Sequence, residues 1–221
     1  MKKTISAVMC AILILSMLLV MTGCGETGDK EKLLGTWKCE MDLAGQMNEE
    51  FAADESVAEY LSVDEFKLVV YMEFKEDDTF SMSVDEAQLD AAVDNLLVSI
   101  TDGISRYMED LMLEETGIEM SIDDILVADQ TTMEELLAQM FPEESIEELK
   151  AEVIDSMQQE GKFKAEDGKL HTSAGLEYEV DPEVYETYTL EGNILTILEY
   201  VGSDADISNF NVYPMVFTKV N

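Results

Sequence analysis

The apolar positions of the chain change period twice. Trp37, Cys39, Met41 and Leu43 alternate with Thr36, Lys38, Glu40 and Asp42, the period of two that puts one set on each face of a β-strand. Phe66, Leu68, Val70, Met72 and Phe74 repeat the pattern, and Phe80, Met82 and Val84 follow Glu76-Asp77-Asp78, so two more strands joined by a turn are expected. The stretch Asn48 to Ser62 has no clean period and leaves room for a short helix covering one end of the sheet. From Asp85 to Glu160 the period becomes helical: Leu89, Val93, Leu96, Ile100, Ile104, Tyr107 and Leu111 recur at three- and four-residue steps and draw one apolar stripe along a long helix. Gly117 breaks it. Ser121 with Asp124, and Thr132 with Glu135, have the spacing of caps that open two further helices. A last helix is expected to start near Pro142, turn Ile146, Leu149, Val153 and Met157 inward, and stop at Gly161.

After Gly161 the strand period returns. Asp167-Gly168 lies between Phe163 and Leu170, and Gly192-Asn193 separates Tyr185–Leu190 from Ile194–Tyr200, both two-residue hairpin signals. Leu176-Glu177-Tyr178-Glu179-Val180 alternates as a further strand. Met215 to Val220 closes the chain, with Pro214 at its start, where a missing N–H donor is tolerated. The expected fold class is α+β: eight or nine short antiparallel strands in an up-and-down barrel or strongly bent sheet, with a helical insertion between the third and fourth strands. The β domain would comprise residues 33–84 and 161–221, and the insertion residues 85–160. Because Val84 and Gly161 belong to one sheet, the ends of the insertion should lie close together.

Two short motifs resemble a known family. Gly35-Thr36-Trp37 resembles the Gly-x-Trp opening of lipocalin-like domains, and Val216-Phe217-Thr218-Lys219 resembles their closing strand. The resemblance covers residues 33–84 and 161–221, about half the chain. The Thr-Asp-Tyr motif of true lipocalins is absent, and the helical insertion has no counterpart in the simple barrel. The resemblance implies a lipocalin-like barrel of the kind found in small lipoproteins of Gram-positive bacteria, which usually lack an assigned activity.

The N-terminus points the same way. Lys2 and Lys3 precede an apolar run from Ile5 to Val20, which ends in Met21-Thr22-Gly23-Cys24, the order of a signal peptide. The last four residues resemble the lipobox of bacterial lipoproteins, with Met21 where leucine is usual. That resemblance implies a leader over residues 1–23, lipid attachment at Cys24 through palmitate-type acyl chains, and a polar tether over residues 24–32. It places the protein on the extracytoplasmic face of the cell membrane. Ordinary cleavage and an uncleaved anchor are the alternatives, although the run falls short of the ~20 residues a spanning helix prefers.

Charge narrows the partners. The chain carries 49 acidic against 13 basic residues, a net charge of −36, which disfavours nucleic acid and anionic head groups. Such a surface attracts cations, basic peptides and cationic polymers, yet its acids are spread along the chain as a solubility surface would be. Cys10 leaves with the leader, Cys24 is modified and Cys39 has no partner, so no intramolecular disulfide is expected.

No residue set announces catalysis. His171, the single histidine, is expected at the surface, opposite Leu170, which excludes a histidine-rich metal site. Cys39 shares the Trp37 and Met41 face and reads as a small buried hydrophobe, not as half of a pair with His171. Asp204 and Asp206 loosely resemble a calcium loop but lack its ligand ladder, central glycine and closing glutamate. Gly-x-Ser-x-Gly, His-Glu-x-x-His and phosphate-binding glycine loops are absent, and the scattered methionines read as core filling. The expectation is a non-enzyme with no cofactor. Trp37, Phe74, Phe80, Phe163, Tyr178, Tyr185, Tyr188 and Tyr200 belong to the strand segments, where they either fill a barrel or line a ligand pocket. Two classes of function remain. One is a non-catalytic binder of a small apolar or cationic ligand. The other is a pocketless envelope protein whose acidic insertion contacts a protein or cationic polymer.

Overall fold

The alternating segments close on one another. A computed structural model describes residues 28–53, 58–202 and 213–220, and within them eight antiparallel strands form a closed barrel in chain order. These are β1 (Gly35–Asp42), β2 (Lys67–Phe74), β3 (Thr79–Val84), β4 (Gln159–Glu166), β5 (Lys169–Thr172), β6 (Tyr185–Glu191), β7 (Ile194–Val201) and β8 (Met215–Lys219). Pairing of Trp37 with Lys219 and of Cys39 with Phe217 joins β1 to β8, and closure leaves no free sheet edge. Tight turns set the register: Asp167 (φ +51°) and Gly168 (φ +73°) both adopt the left-handed conformation that a two-residue hairpin needs to match strand twist.

Six helices accompany the barrel among the described residues. They are α1 (Asp29–Leu33), α2 (Ala44–Ala53), α3 (Glu86–Thr116), α4 (Ile122–Ala128), α5 (Met133–Met140) and α6 (Glu143–Met157). Helices α3 to α6 form one insertion between β3 and β4, and its ends meet because Met82 pairs with Gln159. The caps fall where the sequence placed them. Thr132 and Glu135 make a reciprocal capping box, the Ser121 side chain accepts from the Asp124 N–H, and Gly117 ends α3 at φ +70°. No described helix is long and apolar enough to cross a membrane.

The core runs through the barrel. Trp37 and Cys39 of β1, Leu68, Val70 and Phe74 of β2, Leu195 and Ile197 of β7 and Phe217 of β8 are all buried. Helix α1 plugs the end where β1 begins: Leu33 and Trp37 are both 0% exposed, and the indole N–H donates to the Leu33 carbonyl at 2.6 Å. Phe74 packs edge-on against Phe163 with centroids 4.8 Å apart. Helix α3 packs against β2, and Val69, on the opposite side of the strand from Leu68 and Val70, is buried too.

Five details differ from the sequence reading. Residues 29–32, expected in a polar tether, belong to α1, where the Lys30 ammonium donates to the Glu76 carbonyl and pairs with Asp78 at 2.6 Å. The α3 stripe is buried only from Leu89 to Leu96, while Tyr107 and Leu111 are exposed, because 31 residues of helix span about 46 Å and outrun the barrel wall. On α6, Leu149 is exposed, and Lys150 takes the turn between Ile146 and Val153, its ammonium 2.8 Å from Asp90. Helix α6 ends at Met157, and Gly161 lies within β4. A Cβ there would overlap the Ser173 carbonyl oxygen and sit 2.8 Å from the Phe80 ring. The alternation at residues 176–180 forms no strand, since a barrel closed by eight strands offers it no partner.

Candidate functional site: a cavity at the open end of the barrel

The end opposite α1 is where β1, β3, β5 and β7 finish and β2, β4, β6 and β8 begin. There the interior residues no longer meet, and a cavity of about 250 Å³ remains. Met41, Met72, Met82 and Met215 contribute its methionine wall from the strands, and Ser156 and Met157 close one side from the last turn of α6. The insertion thus contributes to the cavity wall itself. Beyond the Cys39–Phe217 pair, β1 and β8 part. A gap of about 300 Å³ between residues 39–43 and 213–216 shares Met41, Tyr213 and Met215 with the cavity.

A bulge in β7 decides which polar groups face inward. Tyr188 pairs with Ile197 but Thr187 pairs with Glu199, so Leu198 is the extra residue. Without it, strand alternation would carry the inward face from Ile197 to Glu199; with it, the inward residue is Tyr200, directly opposite Glu186. Glu186 is part-buried and accepts a hydrogen bond from the Tyr213 hydroxyl at 2.7 Å. Burial pushes its carboxyl above the ordinary range, only partly offset by that bond. Burial, and then the neighbouring Glu186 charge, push the Tyr213 phenol up as well. Among the described residues neither lysine, arginine nor histidine lines the cavity and no salt bridge reaches Glu186.

The eight aromatic residues named from sequence divide into three groups. Trp37, Phe74, Phe163 and Tyr188 are buried away from the cavity, towards the plugged end; the Tyr188 hydroxyl has no hydrogen-bond partner there. Phe80 and Tyr200 line the cavity, and Tyr185 borders it while its ring packs against His171 on the outer side under the Lys169 ammonium. Tyr178 does neither, being exposed in the loop after β5. Glu186 and Tyr213 escaped the sequence reading. The one available signal was that Glu186 shares a strand face with Tyr188 and Leu190, an acid where a barrel interior should be.

His171 is a correction: it is 4% exposed, not a surface residue. Its side chain points away from Leu170 as alternation requires, but residues 173–184 fold back over it, and Nδ1 lies 3.0 Å from the Val184 carbonyl oxygen. Cys39 is buried on the interior side, and burial raises its thiol pKa, so the barrel wall separates it from His171. Cys24, Asp204 and Asp206 lie outside the described residues. Among the described residues no group of three or more His, Cys, Asp or Glu is placed to hold a metal ion.

A second concavity, about 480 Å³ and more open, lies outside the barrel between Phe51, Tyr60, Leu61, Ile100, Ile104 and Phe141. Gly103 belongs to its floor, where a Cβ would collide with Leu61 and the Tyr60 carbonyl. It is almost wholly apolar, whereas the barrel cavity combines an apolar wall with a placed acid. No protein-family model, no curated protein and no solved structure matches this chain.

Proposed function

We propose that the protein is a lipid-anchored extracytoplasmic lipoprotein, lipocalin-like in build, whose barrel mouth binds a small, mostly apolar molecule without transforming it. The observation that carries this reading is the methionine- and aromatic-walled cavity at the open end of an otherwise filled barrel. Its volume sits just under the ~300 Å³ at the low end of small-molecule sites. A cavity of ~150 Å³ accommodates benzene, so this one suits roughly ten non-hydrogen atoms. Support for the anchor comes from the lipobox-like Met21-Thr22-Gly23-Cys24. Cys24 precedes Gly28 by four peptide steps, at most ~14 Å. Lipid on Cys24 would therefore hold the α1 end against the membrane and turn the mouth toward the aqueous side.

Thermal-shift measurements with neutral aryl-alkyl alcohols, alkylamines and cationic peptides test the pocket, since a ligand stabilises as RT ln(1 + [L]/Kd). Shifts by the small molecules that survive ~0.5 M salt support it. A response confined to cationic peptides and abolished by salt is surface attraction and defeats it. For the anchor, mass spectrometry of membrane-extracted protein should find lipid on Cys24 and nothing before it. A Cys24→Ala protein that stays equally membrane-bound would contradict the lipid attachment.

The outer groove favours a second reading, in which the insertion contacts an envelope partner. Its apolar floor adjoins Glu59, Glu109 and Asp110, with Arg106 among them donating to the Tyr60 carbonyl, a net acidic rim complementary to a basic amphipathic helix. Binding of such peptides lost on Ile104→Asp, with small-molecule binding intact, would favour it.

A further inference from the structure

We infer that the cavity ligand is an organic cation, an amine with an apolar body of about ten non-hydrogen atoms, whose ammonium group sits against the Glu186 carboxylate. The inference rests on the pocket reading above and specifies its ligand class. Three observations converge on it. Among the described residues Glu186 is the one acid lining the cavity, and neither a basic lining residue nor a salt bridge compensates it. A part-buried carboxylate without a counter-charge is costly to keep, and a bound cation supplies that charge. The same lining carries the rings of Phe80, Tyr200, Tyr213 and Phe217, and aromatic faces attract a cation electrostatically. Finally, the β7 bulge at Leu198 brings Tyr200 opposite Glu186 and leaves the competing acid, Glu199, exposed.

A structural role does not account for the charge. Tyr213 needs only an acceptor, which a glutamine carbonyl would provide as well as a carboxylate. The acid is therefore surplus to the hydrogen bond, and its position at the mouth suits an ammonium that enters body-first. An anionic ligand of the same size would meet Glu186 and the −36 net charge together.

Isothermal titration of the full-length protein in nanodiscs, at ~0.5 M salt to screen the acidic surface, tests this with 3-phenylpropylammonium, 3-phenylpropan-1-ol and 3-phenylpropanoate. The ammonium should bind one-to-one and roughly tenfold or more tighter than the alcohol, the gain expected of a charge-assisted contact, and the carboxylate should bind weakest. Glu186→Gln should erase the difference between ammonium and alcohol, and the outward Glu199→Gln should leave it unchanged. Equal binding of ammonium and alcohol by the wild-type protein overturns the inference while leaving the pocket intact. A preference that survives Glu186→Gln also overturns it. If none of the three binds, the pocket reading itself fails. The wild-type comparison decides even if a variant folds poorly.

Discussion

Trp37→Phe isolates the plug on which the one-ended barrel depends. Trp37 is 0% exposed, and its indole N–H bonds the Leu33 carbonyl at 2.6 Å, an acceptor at the C-terminal end of α1 that has no partner within the helix. Phenylalanine leaves about 40 Å³ unfilled, a cost near 1 kcal/mol at ~24 cal/mol per Å³ if the surroundings do not collapse. Losing the bond and stranding the carbonyl adds about 1–3 kcal/mol. The expected destabilisation is therefore about 2–4 kcal/mol, which for a domain of this size lowers Tm by roughly 5–15 °C. Trp37 is the only tryptophan, so urea unfolding must be followed by far-UV circular dichroism. Val98→Ala, at a position 61% exposed on α3, serves as the control and should change stability by less than about 0.5 kcal/mol. A loss under about 1 kcal/mol for Trp37→Phe would refute the reasoning, since the plug would then contribute little.

Other perturbations test the remaining joints. Gly161→Ala should cost about 1–3 kcal/mol in urea unfolding, because the Ser173 backbone and the Phe80 ring occupy the methyl's place; a neutral result would mean the β4–β5 wall yields. Thr132→Ala should remove the capping box of α5, a loss of about 1 kcal/mol. Since α5 buries no residue completely, the effect should appear as faster amide exchange over residues 133–140 more than as lower global stability. Glu186 gives a pH dependence. Its folded pKa is raised by burial, so the fold binds its proton more tightly than the unfolded chain, and that stabilisation is lost as pH climbs from the ordinary ~4.3 through the folded value. Glu186→Gln should consequently gain on the ligand-free wild type as pH rises above about 4.3; urea midpoints showing the opposite trend would contradict the burial argument.

The sequence carried most of the fold because its signals are local. Alternation at Trp37–Leu43 and Phe66–Phe74, the Asp167-Gly168 turn and the Thr132–Glu135 box each act through neighbouring residues. The failures are tertiary. Leu176 to Val180 alternates as a strand should, but whether it pairs depends on closure elsewhere. Lys150 displaces Leu149 because Asp90 waits on another helix. His171 is buried by a connection that has no period of its own. The cavity was less legible still. Phe80 and Tyr200 are candidates as aromatics of strand segments, but Tyr200 faces inward only because Leu198 bulges, and no local signal marks that bulge. Glu186 looked like one acid among 49 until its neighbours across the barrel were known.

The central claim, that the open end of the barrel receives a small molecule, is tested most directly by NMR of protein labelled at its methionine methyl groups and titrated with 3-phenylpropan-1-ol. Met41, Met72, Met82, Met157 and Met215 line the cavity, while Met140 lines the outer groove, so the probes report on the two places separately. The account predicts saturable one-to-one shifts in the five cavity methyls with Met140 unmoved. Cavity methyls that stay still while Met140 shifts would contradict it and assign binding to the insertion instead.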